Sequence, residues 1–216
     1  MPVSPPTLWT AASGGLTEEV RKFLAAGAHV EEKGGPGGTP LENATTPLFG
    51  ASFHCGRPRY WFEVHKERIS VVRLLLDHGA DTSAKNRFGW TPLFCSAMRG
   101  NEEMVILLLE HGADIAAKSN SGWTPLHGAS HWGCGEVVRL LLHRGADTLP
   151  KDNYGRAPLD LATARAHPKI VAMLKAEEVR RGKCVAFAMG QHERLGAGSR
   201  VRGLEEGVVR MVLEQV

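Results

Sequence analysis

Several residues in this chain are of types that do chemistry. His127 and His131 stand four apart in a segment with helical spacing, which can place two imidazoles on one face as metal ligands. His54 and Cys55 suggest a thiolate pair, but adjacent side chains rarely point at one another. Gly34, Gly35, Gly37 and Gly38 surround Pro36 in a glycine-rich run. No Lys-Ser or Lys-Thr follows the run and no strand precedes it, so it is not expected to cradle phosphate. Serine, histidine and aspartate are plentiful, yet none falls in a nucleophile motif. Cys55, Cys95, Cys134 and Cys184 are spaced for neither a disulfide scaffold nor a zinc module. That usage suits a reducing interior, cytosol or nucleus, where the Asn43-Ala44-Thr45 glycosylation triplet goes unused. The chain is therefore expected to be no enzyme, with no catalytic residue, metal or cofactor.

The elements that would carry these residues announce themselves by repetition. Trp90-Thr91-Pro92-Leu93 recurs as Trp123-Thr124-Pro125-Leu126 and, degraded, as Arg156-Ala157-Pro158-Leu159, at a 33-residue step. His78-Gly79-Ala80-Asp81 returns in step as His111-Gly112-Ala113-Asp114 and as Arg144-Gly145-Ala146-Asp147. Such a period means stacked units, each too small to bury its own core. Within one unit, Thr91 caps a short helix that opens on Pro92, whose missing N–H costs nothing at the first helical position. Leu93 and Ala97 face one way, and Gly100 ends the helix. A second helix spans about 101–111, with Met104, Val105, Leu107, Leu108 and Leu109 as its apolar stripe and Gly112 as a left-handed stop. Asn120-Ser121-Gly122 then makes a tight bend.

The unit resembles the ankyrin repeat. Thr124-Pro125-Leu126-His127, Gly133, Leu140-Leu141-Leu142 and Gly145-Ala146-Asp147 follow that family's pattern in order and spacing. The resemblance covers roughly residues 6–176 and implies an all-α solenoid of about five helix-turn-helix-hairpin repeats. It also implies that His127 links neighbouring repeats through backbone hydrogen bonds instead of binding metal. The first repeat keeps Ala11, Ala12, Gly15, Val20, Phe23 and Leu24 but lacks the full opening motif, as a terminal cap should. The fifth, from Ala157, exchanges the leucine run for Ala172-Met173-Leu174-Lys175. The second repeat has two candidate starts, at Thr39 and Thr46, and a surplus near residues 54–68. That surplus, rich in Arg57, Arg59, Tyr60, Trp61, Phe62, His65 and Lys66, predicts an extended loop or a lengthened second helix.

After Ala176 the period stops, so a repeat domain over 1–176 and a helical extension over 177–216 are expected. Residues 182–203 mix Val185, Phe187 and Met189 with glycine-rich turns. Leu204, Val208, Val212 and Val216 then recur every fourth residue, an amphipathic helix. Residues 204–213 resemble the opening helix of an F-box or the end of a SOCS box, which would imply a ubiquitin-ligase adaptor as partner. Glu205 stands where the F-box has Pro, and Arg180 stands where the elongin-binding pattern has Leu.

In the ankyrin family the hairpin tips and the ends of the first helices face the partner. By position these are Arg87, Phe88, Trp90, Trp123, Tyr154 and Arg156 at the tips, and Met98, Arg99, His131, Trp132 and Arg165 at the helix ends. These residue types dominate interface energetics. Trp132, Phe88 and Tyr154 stand out because a consensus repeat has little need of a large aromatic there. The resemblance thus implies a non-enzymatic interaction module binding another protein through its concave face. A net charge of +3 over 216 residues, with both signs interspersed, gives no announcement of nucleic acid, although the basic-aromatic insertion offers one route to it. No apolar run is long enough to span a membrane, and the N-terminus has no secretory pattern.

Overall fold

The computed structural model describes residues 7–31, 40 and 41, and 60–194; of 60–67 and 183–194 it describes the backbone. Several sequence features lie outside the described residues: the glycine run at 34–38, the Thr46 start, His54 and Cys55, and the apolar pattern of 204–216. By internal packing the chain divides into two compact units, Met1–Val171 and Ala172–Val216.

The described residues form helices and no strands. They are α1 (Leu8–Gly14), α2 (Thr17–Ala25), α3 (Tyr60–Asp77), α4 (Pro92–Met98), α5 (Glu102–Glu110), α6 (Pro125–His131), α7 (Gly135–His143), α8 (Pro158–Ala164) and α9 (Pro168–Arg194). Pro40 and Leu41 are also helical and buried, on the register of the Thr39 start. The short first helices α4, α6 and α8 stack on one another as one layer, while α5 and α7 stack behind them as a second.

The local signals explain each boundary. Thr91 Oγ1 accepts the Phe94 N–H at 3.2 Å and Thr124 Oγ1 the His127 N–H at 3.4 Å, each satisfying an orphan donor of the first turn. Ala157 has no hydroxyl to offer; instead the Asp160 carboxylate accepts the Ala157 N–H at 2.8 Å. The stripe predicted for α5 holds: Met104, Val105, Leu107 and Leu108 are buried, with Leu109 half-buried at its margin. Val137, Val138, Leu141 and Leu142 are its counterpart in α7. Each such side chain contributes about 1.5–3 kcal/mol on leaving water.

Helix α3 has 18 residues where α5 has nine, so the second repeat takes up at least part of its surplus by lengthening its second helix. Helix α9 runs 27 residues without interruption and carries the helix through Gly182 into the stretch that the sequence reads as apolar residues mixed with glycine-rich turns. The reason is local: each of the two interior glycines, Gly182 and Gly190, costs about 1 kcal/mol, and between and before them stand mostly Ala, Glu, Arg, Lys and Val with no proline after Pro168. In the second unit, Glu177 receives Arg180 at 2.8 Å and Arg181 at 2.8 Å within this helix. The Arg180 hydrogen bonds are the leading cause of its carboxyl being held at about 2. No described helix is long and apolar enough to cross a membrane.

Candidate functional site

Three loops at 33-residue spacing form the tips. In each, a backbone N–H reaches the carbonyl four residues on: Asn86 to Trp90 at 3.2 Å, Ser119 to Trp123 at 2.9 Å and Asp152 to Arg156 at 2.9 Å. The same three side chains accept the N–H of the fourth residue, at 3.1, 3.1 and 2.9 Å. One short polar residue per repeat thus closes each tip. The tips are also tied to one another, since the Asn120 N–H donates to Phe88 O and the Asn153 N–H to Ser121 O, both at 3.1 Å. A tip fixed on both sides loses little freedom when something binds it.

Between the first two of these tips, and the α4 and α6 ends beside them, lies a groove of about 310 Å³. Its lining is Trp90, Phe94, Met98, Arg99, Ser121, Trp123, His131 and Trp132. Six of these are contact residues expected from position, and Ser121 belongs to the tip beside Trp123; Phe94 is not among those expected. Phe94 occupies in its repeat the place of His127 in the next, 33 residues on. Where His127 makes hydrogen bonds, Phe94 stacks on Trp90, with ring centroids 5.4 Å apart, and supplies an apolar floor. The one signal for it in the sequence is a Phe where the next two repeats have His127 and Asp160.

The tryptophans are held from behind. Trp123 donates its indole N–H to Asp152 Oδ2 at 3.0 Å, and the Arg156 guanidinium lies over its ring at 6.0 Å. Burial alone would raise the Asp152 carboxyl. Hydrogen bonds from the Arg156 side chain, the Arg156 and Tyr154 backbones and the Trp123 indole outweigh that and hold it at about 2. His131 sits between two indoles, 5.0 Å from Trp123 and 5.1 Å edge-on to Trp132. Burial pushes its imidazole below the ordinary value, and the charges of Arg165, Arg156 and His167 push the same way. It therefore packs as a neutral ring.

His127 is completely buried. Its Nδ1 accepts the Thr124 N–H at 3.1 Å, which leaves Nε2 to donate to Arg156 O, 3.2 Å away in the next repeat. Both ring nitrogens are engaged, and neither is open to a metal. Among the described residues no three His, Cys, Asp or Glu side chains converge as metal ligands.

The other expected contact residues lie around the groove. Met98 is nearly all buried and contributes floor more than surface. Phe88 is 40% exposed beside Trp90, with Arg87 over its ring at 4.7 Å. Tyr154 is 78% exposed under Arg156, and Arg165 is exposed at the end of α8.

Comparison with known proteins agrees with this geometry. A family profile described as ankyrin repeats (3 copies) matches residues 62–152. The chain is similar to an ankyrin repeat and KH domain-containing protein of Caenorhabditis briggsae, at 34% identity over 98 residues. That stretch is 45% of this chain and 3% of the relative, so the chain spans a small fraction of that protein's length. Residues 62–152, with their capped first helices, leucine-rich second helices and stacked tips, are ankyrin repeats.

Proposed function

We propose that the chain is a non-enzymatic protein-binding module that holds its partner on the first-helix ends and tips running from Arg87 to Arg165. Ankyrin repeats generally serve as interaction domains, and function resides in the side chains placed on the scaffold. The observation that carries the reading is the groove between Trp90, Trp123 and Trp132, where three indoles from two repeats line one depression. Tryptophan and arginine clustered in a preformed recess are what interface hot spots are made of. The rim aromatics Phe88 and Tyr154 extend the apolar surface along the tips.

The test is the double substitution of Trp132 and Phe88 to Ala. Capture of a binding protein from cell extract should be lost while the melting temperature stays nearly unchanged, because neither side chain belongs to the helix–helix core. Undiminished capture by a folded double variant would remove the reading.

A further inference from the structure

The groove has a chemical preference that follows from its surroundings. We propose that it seats one large apolar side chain of an acidic peptide segment, an aliphatic or aromatic residue flanked by Asp or Glu. This rests on the protein-binding reading and adds the partner's chemistry.

The apolar part of the argument is the lining. Trp90, Phe94, Trp123 and Trp132 face a space of about 310 Å³, room for one or two side chains. The acidic part is the charge around it. Residues 82–100 and 115–133, which build the first two tips and first helices, contain Lys85, Arg87, Arg99 and Lys118 and no carboxylate. Residues 148–167 add Lys151, Arg156 and Arg165 against Asp152 and Asp160. Asp152 pairs with Arg156, so this segment's net +1 comes from Lys151 and Arg165 against Asp160, whose carboxylate accepts the Ala157 N–H. Lys85, Lys118 and Lys151 repeat at the step of the stack, all exposed, and the Lys85 ammonium reaches the Lys118 carbonyl at 3.0 Å. Behind the groove α5 has the opposite character, with Glu102, Glu103 and Glu110 and no Lys or Arg, while α7 is balanced by Glu136 and Arg139. Positive potential therefore collects on the groove side of these repeats.

Single-stranded nucleic acid also favours cations beside aromatics. The lining argues against it. Base edges need several polar partners, and the groove supplies few besides Ser121, His131 and Arg99. A leucine, phenylalanine or tryptophan side chain needs none.

The experiment is selection of random peptides on the full chain, followed by fluorescence polarisation with the best peptide carrying fluorescein. Enriched peptides should combine one large apolar residue with neighbouring Asp or Glu. Trp132→Ala should weaken the labelled peptide about tenfold or more, and Arg165→Glu about threefold, with circular dichroism melts confirming the fold. Lys118→Glu, on an exposed loop, repeats the charge test should Trp132→Ala fail to fold. Enriched peptides of neutral or basic character would overturn the acidic preference while leaving the protein-binding module standing. Absence of any enriched peptide, or binding indifferent to all three substitutions, would overturn the proposal. So would displacement of the peptide by oligo(dT) at lower concentration than by unlabelled peptide, which would assign the groove to nucleic acid.

Discussion

Asn153 donates a side-chain N–H to the backbone carbonyl of Asn120 at 2.9 Å, and Asn120 does the same to Arg87 at 3.1 Å. Each bond spans 33 residues, one full repeat. The tips are thus clamped in file, and the clamp adds a steric reason for glycine at Gly89 and Gly122 beyond their positive φ. Gly122 has φ 80°, and a Cβ there would lie 2.7 Å from Asn153 Oδ1 and 3.0 Å from the Asn153 backbone nitrogen. Gly155 has the same backbone conformation, φ 77°, but nothing within 4 Å.

Gly155→Ala should therefore lose only the left-handed backbone preference, about 1 kcal/mol. Gly122→Ala must in addition push Asn153 away and should lose about 2–3 kcal/mol. Urea unfolding of the two variants measures the difference. Equal losses would mean that the tips are not in close file.

The opposite change is predicted at Ala166. It stands in the sequence register of Gly100 and Gly133 and ends α8 with φ 55°, left-handed for a residue with a Cβ. Ala166→Gly removes that strain at the expense of a more flexible unfolded chain, for a net gain of about 0.5–1 kcal/mol. Thermal unfolding should show a higher midpoint, and a lower one would contradict the strain.

The repeats were legible because their signals are local. Thr91 and Pro92 start α4, Gly112 stops the turn after α5, and each acts within one turn of chain. The tips and helix ends could be located by counting 33 residues along. What counting misses is convergence. The groove is made by Phe94 and Trp90 meeting Trp123, Trp132 and Ser121 of the next repeat, a meeting decided by how the repeats stack. Counting places Met98 among the contacts and passes over Phe94, yet both are buried and both line the groove.

Two buried groups should make stability fall with acid in separate windows. His127 is held neutral, with its value pushed below 6.5 chiefly by burial. The unfolded chain takes up that proton first, so stability is full above 6.5 and declines as pH falls toward the folded value. His131 is shifted in the same direction, so His127→Ala should reduce this slope without abolishing it. Asp152 is held at about 2 against an ordinary 3.8, so its contribution is full above 3.8 and lost toward 2. Asp152→Asn should cost about 2 kcal/mol at neutral pH and reduce the slope of the lower window only, the rest of that slope coming from Glu177, which is also held at about 2. Melting temperatures across both windows provide the check; an unchanged lower slope in Asp152→Asn would count against the assignment.

The last prediction concerns how the first repeat is attached. Cys134 Sγ reaches the Met98 carbonyl at 3.5 Å, and His167 Nε2 reaches that of His131 at 3.2 Å. Both residues precede a second helix and reach back to the end of the preceding first helix. Arg68 holds the same register, 66 residues before Cys134, although it lies inside the lengthened α3. Its guanidinium donates to Ser13 O at 2.9 Å, tying α1 to the second repeat. Burial opposes the Arg68 charge, so the bond is partly offset by desolvation. In a stack where each repeat leans on its neighbours, losing this bond should loosen one end and leave the middle alone. Arg68→Ala should therefore speed amide exchange in α1 and α2 by about fivefold, equivalent to about 1 kcal/mol, with α6 and α7 unchanged. Hydrogen exchange followed by mass spectrometry resolves the two regions. A uniform change along the chain, or none, would show that Arg68 is not what anchors the first repeat.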